Sequence, residues 1–207
     1  MILEDRFEAG IKLANKIKPQ KPMLILAIPR GGVQVGVSLA KKLNVPLDVI
    51  VARKLGAPHN PELAIGAVTS EGKIYLDQKL IKELNVDSNY IDSVVEQEKD
   101  EAKRREHIFR GRRKKLSLEG KNVIVVDDGI ATGATTRAII EQITGQAKTL
   151  TLAVPVLPKE LVADFESKVT KLVYLDAPKN FYAVGLHYKN FPQVSDEEVI
   201  ALLKHKK

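Results

Sequence analysis

The chain of 207 residues has no cysteine and no tryptophan. Without cysteine there can be no disulfide and no thiolate metal site, which agrees with a reducing, cytoplasmic setting. The four histidines, His59, His107, His187 and His205, show no ligand spacing, so no structural metal is indicated. No apolar run approaches the length of a membrane span. The start, Met1-Ile-Leu-Glu-Asp-Arg6, lacks the basic opening and apolar stretch of a signal peptide. What is present is ordinary for a globular protein, with 44% hydrophobic and 29% charged residues. This length suits one domain with an insertion and can bury a real core. The net charge of +7 suits a polyanionic partner, either a nucleic acid or a small polyanionic substrate.

The apolar pattern alternates helix and strand, as a parallel α/β sheet requires. Residues 5–17 form an expected amphipathic helix with Phe7, Ile11, Ala14 and Ile17 on one stripe. Strands are expected at 23–28 and 47–52, around a helix at 33–43. Gly56-Ala-Pro-His-Asn-Pro61 is turn chemistry, and 64–69 with 73–76 reads as a hairpin around Ser70-Glu-Gly72. A long polar helix spans 88–110. Its apolar residues (Ile91, Val94, Val95, Ala102, Ile108, Phe109) are sparse, so it is expected to project beyond the sheet towards a second subunit, as in a homodimer. The alternation resumes with strand 123–126, helix 134–143, strand 149–154, helix 159–167 and strand 171–175. Ser195-Asp-Glu-Glu198 is a capping box that opens a last helix. The expected division is a core of 1–55 and 119–176, an insertion of 56–118, and a C-terminal piece of 177–207.

The most informative stretch is Val123-Ile-Val-Val-Asp-Asp-Gly-Ile-Ala-Thr-Gly-Ala-Thr-Thr136. Four β-branched residues make a buried strand, and Asp127 and Asp128 stand where it ends. Gly129, Ala131, Thr132, Gly133, Ala134, Thr135 and Thr136 then lead into the next helix. Such a strand–loop–helix points amides and hydroxyls at one centre, with the helix dipole behind them, and makes a phosphate cradle. Two carboxylates beside it repel phosphate, so the ligand also carries donors, and a ribose with vicinal hydroxyls fits. The plain alternative is a strand whose terminal aspartates only cap the helix.

This stretch resembles the signature of type I phosphoribosyltransferases, which bind 5-phosphoribosyl 1-pyrophosphate (PRPP). The resemblance implies their parallel α/β core, here with a hairpin and helical insertion and a small C-terminal hood. It also implies that Asp127 and Asp128 bind the ribose hydroxyls while residues 129–136 hold the 5′-phosphate. Pro29-Arg30-Gly31-Gly32 is by itself a glycine-rich turn, neither a Walker loop nor a dinucleotide fingerprint. It resembles the pyrophosphate loop of purine-type members, where a non-proline cis peptide is common. Arg53 and Lys54, after the second strand, are either a solvated strand end or the family's basic residues that reach the pyrophosphate. Residues 56–68 resemble the loop that closes over PRPP and excludes water from a ribosyl cation.

Phe181-Tyr-Ala-Val-Gly-Leu-His-Tyr188 is similar to the hood that stacks on the base. The resemblance puts Tyr182 in stacking, the main chain of Ala183 in reading the base edge, and His187 in proton handling. Plain core packing of Phe181, Val184 and Leu186 stands beside it. With 190–199 the chain is most similar to prokaryotic phosphoribosyltransferases of unassigned substrate. One departure matters: hypoxanthine-type members place an Asp before the Thr-Gly of the phosphate loop, and this chain has Ala131.

The expected reaction is Mg²⁺-dependent transfer of the phosphoribosyl group from PRPP to a nitrogen nucleophile, with release of pyrophosphate. Asp127, Asp128, Arg30 and Lys54 are the expected catalytic set. The metal is met by Asp127 and Asp128 only through PRPP. The other function class is a PRPP-sensing regulator that binds RNA or protein through Lys103-Arg-Arg105 and Arg112-Arg-Lys-Lys115. Acidic partners precede those cations as Asp100–Arg104, Glu101–Arg105 and Glu106–Arg110, and no aromatics interleave with them, which favours a solvated helix face.

Overall fold

Five short apolar runs pair side by side in the computed structural model, which describes residues 1–204, so that His205 lies outside the described residues. Strands β1 (Met23–Ala27) and β6 (Asn122–Val126) are buried along their whole length. That is expected of parallel strands covered on both faces. The sheet order is β2 (Leu47–Val49), β1, β6, β7 (Thr149–Val156), β8 (Lys171–Asp176), and every pairing is parallel. From β1 the chain runs through α2 (Gly31–Leu43) to β2 on one side, whereas β6 flanks β1 on the other. The return from β7 to β8 passes through α6 (Val162–Lys168). The winding therefore reverses between β1 and β6. In open α/β sheets the crevice outside the carboxyl ends of the strands at such a reversal is where ligands bind.

The chain divides into two units. One contains Met1–Val49, Phe109–Ala131 and the chain from Ile143 onward; the other contains Ile50–Ile108 and Thr132–Gln142. In the first unit, α1 (Arg6–Ala14) opens on a reciprocal cap. The Glu8 amide donates to Asp5 Oδ1 at 2.8 Å, and the Glu4 amide donates to Glu8 Oε2 at 2.7 Å. The buried face of α1 is not the expected stripe. Arg6, Ala9, Gly10, Leu13 and Ala14 face inward, while Phe7 and Ile11 are 37% and 45% exposed. Close approach to α2 explains the rotation, because a Cβ on Gly10 would collide with Ser38 Oγ and the Val35 carbonyl. At the other end, α7 (Asp196–Lys204) has the capping box expected from sequence. The Glu198 amide donates to Ser195 Oγ at 3.2 Å and the Ser195 amide to Glu198 Oε2 at 2.7 Å.

The second unit is built on an antiparallel sheet of β3 (Ala52–Ala57), β4 (Asn60–Thr69) and β5 (Ile74–Leu76). Here the expectation of one strand over 47–52 is corrected. The parallel strand stops at Val49, and Ala52 already belongs to the other sheet, so Arg53 and Lys54 lie inside β3. Residues 56–61 turn as expected, as the tip of a hairpin with Ala57 paired to Asn60 and His59 in the left-handed region at φ 64, whereas 60–68, expected within a closing loop, lie in β4. A helix not expected from sequence, α3 (Gln78–Glu83), is capped by Asp77.

The long helix α4 (Ser88–Arg110) docks on the small sheet in spite of its sparse apolar residues. Ile91, Val94 and Val95 pack on Leu55, Ala57, Ile65 and Val68 of the small sheet. Tyr90 Oη donates to the Gly56 carbonyl at 2.9 Å. Ala102 and Phe109 of the same helix are buried as well. On the solvent side Glu101 takes both Arg104 and Arg105, which holds its carboxyl down at about 2. Among the described residues no helix is long and apolar enough to cross a membrane.

Candidate functional site

Two loops leave neighbouring strands at the winding reversal. Ala27 of β1 is in register with Val126 of β6, and the Ile28 amide donates to the Val126 carbonyl at 2.9 Å. Pro29-Arg30-Gly31-Gly32 therefore emerges beside Asp127-Asp128. The Pro29–Arg30 peptide is cis, as the resemblance implies. The glycines are needed for this approach. A Cβ on Gly31 would collide with the Asp128 carboxylate, and one on Gly32 would lie 2.9 Å from Asp127 Cα and from the Val126 carbonyl.

The two acids are not equivalent. The Asp128 amide donates to Asp127 Oδ1 at 2.8 Å, and the two carboxyls are neighbours in a half-buried loop. Burial, together with the Asp128 charge, pushes Asp127 well above the usual carboxylate range. Asp128 is held by a cation that sequence reasoning missed. Arg6 Nε donates to Asp128 Oδ2 at 2.7 Å, and only 5% of Arg6 is exposed. The signal was present in the sequence as a charge in register with Ala9, Gly10 and Leu13, the inner face of α1.

The C-terminal segment is tied to the same loop. Tyr188, also missed as a site neighbour, is buried and donates from Oη to the Asp128 carbonyl at 2.6 Å. Burial and the Asp128 charge push its phenol up. A Cβ on Gly129 would meet Val184 Cγ1 at 2.5 Å and Val156 Cγ1 at 3.1 Å. Val184 thus packs over the loop rather than in a remote core. Leu186 is 67% exposed and Tyr182 is 84% exposed, so plain core packing does not account for this stretch. Ala183 is exposed, and His187 stacks on Phe181 with ring centroids 5.4 Å apart. Arg30 Nη1 lies 3.6 Å from Asp196 Oδ1 at the start of α7.

The loop after Asp128 runs through Gly129, Ile130 and the exposed Ala131 and Thr132 into Gly133, which has φ 79. Such a backbone strongly favours glycine. Ala134, Thr135 and Thr136 then form the first turn of α5 (Ala134–Ile143), with Thr136 buried. Ala134 and Ala138 pack against Ala64 and Ala67 of β4. Lys54 pairs with Ala67 and shares that face of the small sheet, whereas Arg53 pairs with Val68 on the α4 face. Arg53 Nε donates to Glu98 Oε2 at 2.7 Å. The adjacent cations are therefore separated by the strand's two-residue period, with Lys54 exposed on the face that carries the start of α5.

A family model described as phosphoribosyl transferase domain matches residues 3–185. The chain belongs to the phosphoribosyl transferase domain family. Two Mycobacterium tuberculosis proteins, provisionally named as phosphoribosyl transferases, are 40% identical over 205 residues. The alignment covers 98% of this chain and 46% of each relative, so the chain spans about half the length of the curated relatives it matches. The crystal structure of a Thermus thermophilus protein, TT1426, superposes with a TM-score of 0.82 at 35% identity, covering 98% of both chains. A purine phosphoribosyltransferase from Pyrococcus horikoshii gives a TM-score of 0.50 at 18% identity, covering 94% of this chain and 97% of its own, a likeness of fold. The parallel five-stranded α/β core expected for a phosphoribosyltransferase is thus the observed one.

Asp127 and Asp128 offer hard carboxylate oxygens beside a cradle that Cβ atoms on Gly31 and Gly32 would fill. That donor chemistry fits a hydrated Mg²⁺, since this ion keeps waters and takes one or two carboxylates.

Proposed function

We propose that the chain transfers the 5-phosphoribosyl group of PRPP to a nitrogen nucleophile and releases pyrophosphate. The reading rests above all on one observation: a glycine loop and an acid pair meet at the winding reversal of the parallel sheet, from strands in direct register. That edge takes ligands in open α/β sheets generally.

In this reading the amides and hydroxyls of Thr132, Gly133, Ala134, Thr135 and Thr136 hold the 5′-phosphate against the start of α5. Asp127 and Asp128 accept from the ribose hydroxyls, and their charge favours the positive character that develops on the sugar as its C1–oxygen bond breaks. Arg30 and the Gly31 and Gly32 amides hold the departing pyrophosphate. Lys54 adds a cation, and Arg53 adds another if it is released from Glu98. Mg²⁺, bound with PRPP, supplies further neutralisation of the pyrophosphate. The acceptor nitrogen forms the new bond to C1 as the C1–oxygen bond to pyrophosphate breaks, and its proton passes to the His187 imidazole or to water.

Tyr182 has the exposure a stacking platform needs, Ala183 offers main-chain groups, and His187 brings an imidazole to that segment. With Ala131 where hypoxanthine-type members carry an Asp, the proton of a purine N7 has no carboxylate waiting at that position. This favours acceptors that do not depend on one. The test is to supply PRPP and Mg²⁺ with a panel of nucleobases and related heterocycles and score pyrophosphate. Acceptor-dependent release is expected, and no release with any acceptor despite tight PRPP binding would replace transfer by sensing.

A further inference from the structure

Arg6 is buried on α1, yet its guanidinium makes three different contacts. Nε donates to Asp128 Oδ2 at 2.7 Å, Nη1 donates to the Pro192 carbonyl at 2.8 Å, and the group lies 3.6 Å from the centre of the Phe191 ring. Phe191 in turn sits 5.0 Å from the Tyr188 ring and against Gly185, where a Cβ would come within 2.9 Å of its Cδ1. Tyr188 closes the circuit by donating to the Asp128 carbonyl. The N-terminal segment braces the same stretch, with the Leu3 amide donating to the His187 carbonyl and the Lys189 amide to the Leu3 carbonyl, both at 2.8 Å.

We propose that Arg6 is a positioning residue that couples the ribose-binding acid Asp128 to the C-terminal segment 184–192, so that filling the PRPP site orders the segment that receives the acceptor. The proposal rests on the PRPP reading of the site. Two arguments separate it from a purely structural role. Stability alone does not call for a buried ion pair, because apolar replacements of such pairs are often neutral or stabilising. The geometry is also specific. By occupying Oδ2, Arg6 fixes the plane of the Asp128 carboxylate. The same flat cation is gripped on its other side by Phe191 and Pro192. A planar fork can do both at once, and a lysine ammonium cannot. Any shift of Asp128 towards a hydroxyl is therefore felt at residues 191–192, and linkage makes the effect reciprocal.

The experiment is hydrogen exchange of the whole chain with and without PRPP and Mg²⁺, together with calorimetric PRPP affinity, for the unmodified protein, Arg6→Lys and Phe191→Leu. PRPP is expected to slow exchange across 184–192 in the unmodified protein. Arg6→Lys should bind PRPP about tenfold more weakly and lose that protection. Phe191→Leu keeps the Arg6–Asp128 pair, so it should keep PRPP affinity within about twofold and still lose the protection. A merely structural Arg6 would lower the melting temperature of its variant and leave the PRPP-induced protection in place. Should Arg6→Lys fail to fold, Phe191→Leu alone decides, and retained protection in it overturns the coupling. An unmodified protein that binds PRPP without any change at 184–192 also overturns it. Failure of the unmodified protein to bind PRPP at all overturns the reading of the site itself, a different and separately visible result.

Discussion

The Tyr188 hydroxyl donates to the carbonyl oxygen of Asp128 at 2.6 Å, across 60 residues of sequence. The loop with the acid pair and the segment with the exposed Tyr182 are thus bonded to each other directly. Substitutions in either are therefore to be read in both binding and stability.

The acid pair should split in stability. Asp127→Asn removes a carboxylate whose ionisation is opposed by burial and by Asp128. Its folded pKa is raised, so the penalty it carries is absent below the unfolded carboxylate range and grows as pH rises through the folded value. The Asn variant should therefore melt higher than the parent at neutral pH, and the gap should close as pH falls. A chain of this size shifts by about 2–4 °C for each kcal/mol. Melting scans from pH 4 to 8 check this; a gap independent of pH would refute the assignment of strain to Asp127.

Asp128→Asn should do the opposite. It leaves Arg6 buried without its ionic partner, at a cost of roughly 1–3 kcal/mol. Denaturant titration should show a lower midpoint with unchanged slope.

Lys54 and Arg53 should behave differently despite being neighbours. Lys54→Ala is expected to slow turnover with little change in stability, because Lys54 is exposed on the face that carries Ala134. Arg53→Ala breaks the contact with Glu98 on α4 and should loosen that helix, by up to about 1 kcal/mol for a partly exposed pair. Exchange at the α4 amides separates the two. A loss of turnover confined to Arg53→Ala would exchange their roles.

Tyr182→Ala should leave stability within about 0.5 kcal/mol, since the ring is 84% exposed. Base–aromatic stacking worth about 1–3 kcal/mol would be lost, raising KM for the acceptor by roughly one to two powers of ten. KM for PRPP should not move. An unchanged acceptor KM would place the acceptor elsewhere.

The strand–acid–glycine stretch and the Pro29–Gly32 turn were legible in sequence because their chemistry is local: residue type, spacing and the element that follows carry the information. The inner face of α1 was not, because burying Arg6 depends on Asp128, 122 residues away. The run of residues 47–52 reads as one strand because apolar continuity cannot show where a chain leaves one sheet for another. The same limit hid the division of labour between Arg53 and Lys54, which appears only once the β3–β4 register is known. For α4, a count of apolar residues understated the docking, since the face to be covered was unknown.

Gly133, at φ 79, is expected to tolerate no side chain without strain. Gly133→Val should weaken PRPP binding through its 5′-phosphate. Inorganic phosphate, as the smaller probe, should lose protection of the amides of residues 131–135 in the same variant. Unaltered phosphate binding would detach the loop from the anion.

Calorimetry of PRPP with Mg²⁺, on the parent chain and on Asp127→Asn, tests the central claim most directly. The parent should bind, and the variant, folded and at least as heat-stable at neutral pH, should show no measurable heat. Equal affinity in the two would contradict the assignment of the acid pair to the ribose.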